Sequence, residues 1–480
     1  SPDTRTMKRS SWYIILSFVL AAMVCICMAV CGAAGLLWWS GGTTYASSTD
    51  TLVIEEPTPA LTLVRQAPLA SERETARVAE RMSVPERDLH ALARRLQGIP
   101  EIHATPVATS LPDYAPGDEH DFWVHNVAEN SFFTTTAILR FETPHAYWWI
   151  EEGYDVPAKP LARSAEKFEN HTYPTSRRYF GSEWTPGVDG DPHVYIFLGN
   201  VPGVGGYFSG PDEYSTLVRP HSNEHEMFYI NLENAMPGSD YFDGILAHEL
   251  QHMIHWAQDR NEATWVNEGL SELGAQVSGY DVGGSDYAYS LTPDTQLTAW
   301  TELENSAPHY GASYLFLAYF LDQYGEDAVL ELVREEDNGI EGFENILAEI
   351  DAHHPDFESL FADWLIANYL DNPRPEAGRY AYSELSVERP RFAARHNTFP
   401  VQEQATIHQY GADYGLLEGE GTLTIDFEGN TLVPLIGNKV HSGEYQWWSN
   451  RGVDGDATLT RSFDLSGLDE ATLQAWMWYD

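Results

Sequence analysis

Two periods of apolar residues divide the chain. From residue 122 to 152 apolar and polar positions alternate as on a strand, most clearly over 132–141. Shorter apolar runs at 193–198 and 226–231 predict further strands. Apolar residues then recur at helical spacing over 161–170, around 241–256, and over 264–277, 312–324, 327–334, 340–350 and 357–369. After about residue 400 short alternating stretches return between Gly and Asn turns, as at 422–427 and 457–465. This order predicts an α+β protein.

The N-terminal region follows another pattern. Lys8 and Arg9 precede an uncharged stretch from Ser10 to Thr49 that is strongly apolar between Trp12 and Trp39. A charged start before a long apolar run predicts export with the N-terminus held inside. The run is long enough to span a bilayer, and Thr44-Tyr45-Ala46 is a passable cleavage site, so it reads as a signal anchor or a signal peptide. Residues 50–80 are rich in Thr, Pro, Ala and Glu and read as a stalk, and 85–96 as a short charged helix. The expected organisation is an N-terminal signal over 1–49, stalk and short helix over 50–100, and over 101–159 a small β-rich module or the start of the domain that follows. A catalytic domain over 160–385 and a partial β-sandwich over 400–480 complete it.

Composition narrows the chemistry. With 72 acidic and 27 basic residues the net charge is −45, which excludes nucleic acid as a natural partner and suits solubility outside the cell. A membrane contact is expected only through the N-terminal segment. All three cysteines, Cys25, Cys27 and Cys31, lie in that segment, so the rest of the chain has no thiol nucleophile and no disulfide framework. Neither a G-x-S-x-G elbow nor a phosphate-cradling glycine loop is present. The pentapeptide GVDGD occurs at 187–191 and again at 452–456, as tight turns or as loops that bind Ca2+ through their carboxylates.

The strongest chemical signal is His248-Glu249-Leu250-Gln251-His252. On a helix, histidines four apart share a face and can converge on one metal ion, and the glutamate beside the first can take a proton from water there. A catalytic zinc needs a third protein ligand. Glu268 is available sixteen residues after His252, in the first turn of the helix expected over 264–277, with Glu272 one turn later on the same face. One of these carboxylates can bind the metal while the other accepts the second N–H of a ligand histidine. His255 reads as a surface or internally satisfied histidine.

HELQH followed by WVNEGLSE resembles the gluzincin metallopeptidases, the group of thermolysin and the aminopeptidase N type. Asn267-Glu268-Gly269-Leu270-Ser271-Glu272 is similar to the N-E-x-x-S-D run of the first, with Glu in the last place, and Trp265-Val266-Asn267-Glu268-Gly269 to the W-L-N-E-G run of the second. The short spacing between second histidine and third ligand is closest to hyicolysin-like and immune inhibitor A-like secreted bacterial proteases. The resemblance implies His248, His252 and Glu268 as zinc ligands, Glu249 as base and Glu272 as partner of a ligand. It implies an upper mixed sheet and a lower helical half with the metal between them. Tyr310 resembles a tyrosine that steadies the oxyanion in the aminopeptidases, and His309 is the alternative that thermolysin's histidine suggests.

Such enzymes bind substrate as an added strand on a sheet edge. Residues 226–231 are expected to be that edge or an ordinary core strand, and 204–209 the cleft wall, a loop or an ordinary turn. No G-x-M-E-N run is present to capture a free amine, which favours an endopeptidase of proteins or peptides over an aminopeptidase. The alternative from another class is a surface binding protein on the same scaffold.

Overall fold

The structure is a computed structural model. It describes residues 114–478 apart from 282, 301–304, 351, 431–439 and 451–454, together with 70–99 apart from 80, 83, 84 and 86. The expected signal at 1–49, the three cysteines and most of the stalk lie outside the described residues. Among those described, no helix is long and apolar enough to cross a membrane. The end of the expected stalk forms an exposed helix, α1 (Ala70–Ala79). The charged helix expected over 85–96 is one turn, α2 (Leu89–Leu92), capped by Asp88 and continued by a wider turn to Gln97.

Six strands form one sheet: β1 (Glu119–Asn126), β2 (Ser131–Thr143), β3 (Ala146–Glu151), β4 (Val194–Gly199), β5 (Gly206–Phe208) and β6 (Met227–Asn231). Their order is β1-β2-β3-β4-β6-β5. The first three are antiparallel, β3, β4 and β6 run parallel, and β5 returns antiparallel to β6 at the edge. The near-continuous apolar runs AYWWIE, VYIFLG and MFYIN suit parallel strands covered on both faces. Their residues divide by alternation: Trp148, Ile150, Ile196, Leu198, Phe228 and Ile230 join the core beneath the sheet. Tyr147, Trp149, Tyr195, Phe197, Met227 and Tyr229 join a second core above it.

The β-rich module expected over 101–159 is not a unit of its own. Its strands are half of this sheet, because β3 pairs with β4 from Ala146↔Val194 to Ile150↔Leu198. A parallel pair needs a crossover, and α3 (Ala158–Lys167) and α4 (Tyr173–Phe180) supply it. The edge assignment also changes. The strand expected at the edge, β6, is wholly buried between β4 and β5, so the edge is β5, in the segment expected as wall or loop.

Below the sheet lie α5 (Asp240–Gln258), α6 (Thr264–Val277), α7 (Ser285–Leu291), α8 (Ala307–Arg334), α9 (Ile340–Glu349) and α10 (Phe357–Leu370). The two helices expected over 312–334 are one line of helix broken at Gly325, where φ is 83°. Trp265, Phe316, Phe343, Phe357 and Trp364 interlock α6, α8, α9 and α10 through stacked and edge-on rings. The chain is therefore an α+β protein with a mixed sheet over helices. At the C-terminal side β7 (Phe392–His396) pairs in parallel with β8 (Tyr414–Leu417). The strands expected at 422–427 and 457–465 do not form. They find no ladder partner there, and Ile425, Phe427 and Leu459 face solvent.

Candidate metal centre

Helix α5 begins where Ser239 Oγ accepts the Phe242 N–H at 3.2 Å. Asp240 and Asp243 then place negative charge at the positive helix end. Asp243 is buried and receives Ser164 Oγ at 2.5 Å and Lys167 Nζ at 2.8 Å, which fixes the helix against α3. Phe242, Leu246, Leu250, Met253 and Ile254 fill the core beneath the sheet. His248 and His252 are left on the side of the helix turned toward α6.

Two helices can approach this closely only where side chains are small. A Cβ on Gly274 would lie 3.0 Å from Gln251 Cβ on α5, and one on Gly269 would lie 2.9 Å from the Ser313 carbonyl on α8. Glycine at 269 thus lets α8 close on α6 beside Glu268.

The three expected ligands converge. His248 Nε2 and His252 Nε2 are 3.0 Å apart, and Glu268 Oε2 is 3.5 Å from each. An ion with tetrahedral bonds of 2.0–2.1 Å has donors about 3.3 Å apart, so the set fits zinc in size and in kind. Glu268 Oε2 is also buried without a hydrogen bond. Glu272 takes the place expected of it, with Oε1 3.4 Å from His248 Nδ1. The partner of His252 was not expected: Ser271 Oγ lies 2.9 Å from its Nδ1 and 2.5 Å from Gln251 Oε1. Ser271 stands three residues after Glu268, a spacing that shares a helix face and would have pointed to it.

The charges of the cluster favour a cation. Burial would lower the His248 pKa, but bonds from Glu268 and Glu272 and the charge of Glu249 raise it well above the ordinary value. Burial would likewise raise Glu268, yet His252 and His248 hold its carboxyl well below the usual range.

Glu249 is buried beside the histidines and also touches the sheet. Burial raises its pKa against the opposing charges of His248 and His252, and the backbone N–H of Phe208 on β5 donates to it. A Cβ on Gly206 would lie 3.0 Å from Glu249 Oε1 and 2.7 Å from Ile245 Cγ2. The edge strand therefore lies directly against the expected base.

Of the two oxyanion candidates, only one faces the centre. Tyr310 opens α8 with its ring 6.3 Å from that of His248 and hydrogen-bonds to Glu268; burial, then the charges of Glu268, Glu272 and Glu249, push its pKa far up. His309 turns instead toward the backbone of Gln296 and Ala299 and packs near Trp300. The reading of His255 is corrected. It is fully buried, Asn267 Nδ2 lies 3.1 Å from its Nδ1, and its Nε2 makes no hydrogen bond.

The GVDGD turn at 187–191 directs its carboxylates at protein groups. Asp189 meets His225 Nδ1 at 2.7 Å and the Asp191 N–H at 2.8 Å, while Asp191 accepts from Tyr147 Oη at 3.1 Å. Among the described residues they do not gather with a third ligand, and most of the second copy, 452–454, lies outside those residues. No family model matches the chain and no curated protein matches it, so its chemistry is read from this geometry.

Proposed function

We propose that this chain is a zinc-dependent endopeptidase of the gluzincin type that hydrolyses protein or peptide substrates. The observation that carries the reading is the convergence of His248, His252 and Glu268 beside a buried glutamate that touches an edge strand. His248, His252 and Glu268 would hold the ion, which would act as a Lewis acid that acidifies water and polarises a carbonyl. The −45 charge and the N-terminal apolar segment support action outside the cell.

The protein groups have separable tasks. The free edge of β5 offers backbone groups to a substrate laid alongside it as a further strand. Glu249 accepts the proton of the attacking water and passes it to the amide nitrogen that leaves. Its burial raises its affinity for that proton, and the Phe208 N–H keeps the carboxylate oriented. Tyr310 stays protonated across the physiological range, so its hydroxyl can donate to the oxygen that gains charge in the transition state. Glu272 and Ser271 fix the two imidazoles through Nδ1 and leave both Nε2 atoms directed at the ion.

The test is mass spectrometry of products from an unfolded protein incubated with the zinc-loaded chain and with its Glu249→Gln variant. Internal cuts by the unmutated chain alone, with equal zinc content in both, are the expected result. Cuts made equally by both proteins would remove Glu249 from the mechanism. Loss of single N-terminal residues would instead make the protein an aminopeptidase. Zinc binding without cleavage by either would favour a binding role.

A further inference from the structure

The end of α5 carries a second group of ligating side chains, one helical turn beyond the first. His255, Asp259 and Glu262 each bring one nitrogen or oxygen within 4.8 Å of the others. All three residues are buried, His255 completely and Glu262 to 4% exposure. Burying carboxylates beside an imidazole is costly unless their charge is balanced, and a bound cation balances it. Arg260, next in the chain to Asp259, is exposed, packs on Trp256 and Tyr214, and donates to Tyr214 Oη at 3.1 Å.

Hydrogen bonds hold the group in place but leave one atom each of His255 and Glu262 without one. Glu262 Oε1 accepts the N–H of Ala263 at 2.5 Å and of Gly339 at 2.8 Å, while its Oε2 is buried with no hydrogen bond. Asp259 Oδ1 accepts the Asn261 N–H at 3.2 Å, and Asn338 Nδ2 fixes the Asn261 carbonyl at 2.7 Å. The loop between α5 and α6 is thereby set with its carboxylates turned inward. His255 is positioned through Nδ1 by Asn267, and its completely buried Nε2 also lacks a hydrogen bond. If the Asn267 amide is turned so that Oδ1 faces the ring, Nδ1 carries the proton and Nε2 keeps its lone pair for a ligand. A cavity of about 150 Å3 opens beside the group, lined by Asp259, Glu262 and Asn267 and by His252 of the first centre.

We propose that His255, Asp259 and Glu262 form a second divalent-metal site of zinc-type chemistry, adjoining the first. One imidazole and two carboxylates is a nitrogen–oxygen donor set that suits zinc and its transition-metal neighbours; calcium and magnesium prefer all-oxygen sites of higher coordination. Three protein donors leave the cavity side of the ion open to water. Asn267 ties the two centres together, since it orients His255 and immediately precedes Glu268.

The experiment is zinc stoichiometry, measured by elemental mass spectrometry on the full chain after chelation, reloading with zinc alone and desalting. The unmutated chain is expected to hold two zinc ions. Glu262→Gln, which keeps the acceptor for Ala263 and Gly339, and Asp259→Asn should each hold one, with an unchanged circular dichroism spectrum. Glu268→Gln should also hold one, having lost the other ion. If Glu262→Gln does not fold, Asp259→Asn carries the comparison alone. A single zinc that survives Glu262→Gln and Asp259→Asn but not Glu268→Gln would overturn the second site and leave the proposed catalytic centre standing. A single zinc lost in Asp259→Asn and kept in Glu268→Gln would support the second site and overturn the catalytic one. Two ions retained in both the 259 and 262 variants would overturn this proposal.

Discussion

The two histidines of the centre are held by unlike partners, a carboxylate at His248 and a hydroxyl at His252. A carboxylate makes an imidazole a stronger donor; a hydroxyl chiefly fixes its rotation. Ser271 is completely buried and linked to Gln251 and the Asn267 carbonyl, so it locks the ring of His252 to both helices. Ser271→Ala should weaken zinc binding by about 10–100-fold with the fold intact. Competition against a chelator of known affinity measures this, and an unchanged affinity would remove Ser271 from the site. His248, Glu249, His252 and Glu268 were legible in the sequence because helical spacing alone gives their common face. Tyr310 was preferred there only by resemblance, with His309 as the alternative, since neighbours on a helix point about 100° apart and only the packing of α8 decides which looks inward. His255 was misread because a lone histidine carries no sign of burial in the sequence.

At the scale of elements the centre depends on three helices and one short strand. α5 carries the histidines, α6 the carboxylates and α8 the tyrosine, and Gly269 is where α6 meets α8 most closely. Gly269→Ala would set a methyl 2.9 Å from both the Ser313 carbonyl and Leu317 Cδ2. The Leu317 side chain can give way, but the Ser313 carbonyl is backbone and cannot move without shifting α8, so a loss of about 1–3 kcal/mol is expected. Turnover should fall further than zinc content, because Tyr310 retreats with α8 while the ligands stay on α5 and α6. Thermal unfolding, zinc content and peptide cleavage on one preparation test this; turnover falling only in step with zinc would show that Tyr310 had not moved. Several lower helices were legible nearly to the residue, 264–277, 340–350 and 357–369 among them, because apolar residues recur there at helical spacing, whereas α4 and α7 were not read. The edge strand was not. A three-residue strand leaves too little alternation to read, and the longer apolar run at 227–231 signals burial rather than an edge. Whether the β region was a module or the start of the next domain was likewise open, since pattern shows that a strand forms but not which sheet receives it.

For the whole molecule the excess of acid reaches inside the fold. Beyond the two His and carboxylate clusters of α5, α6 and the loop between them, Glu213 and Glu226 are buried, each with carboxylate oxygen lacking a hydrogen bond, and Asp189 and Asp212 are buried nearby in the same network. Burial, then the charge of Glu213, pushes Glu226 up to about 9; the Val188 N–H opposes this. Burial pushes Glu213 up to about 8 against the pull of Arg260. Both folded-state values exceed the unfolded value of 4.5, so between them the folded chain binds more protons than the unfolded one. Stability from these groups is complete below about pH 4.5 and is lost as pH rises through 8 and 9. Surface carboxylates are already ionised by pH 6, so their repulsion does not explain a decline above it. Glu226→Gln keeps the acceptor for the Val188 N–H and removes the proton that must be lost. The variant should match the parent near pH 5 and exceed it near pH 8.5 by about 1–2 kcal/mol, a few degrees in Tm for a chain of this size. Thermal unfolding of both proteins in chelator at pH 5, 7 and 8.5 makes the comparison without changing metal occupancy. Parallel curves across that range would mean that Glu226 is already ionised in the folded protein at pH 5.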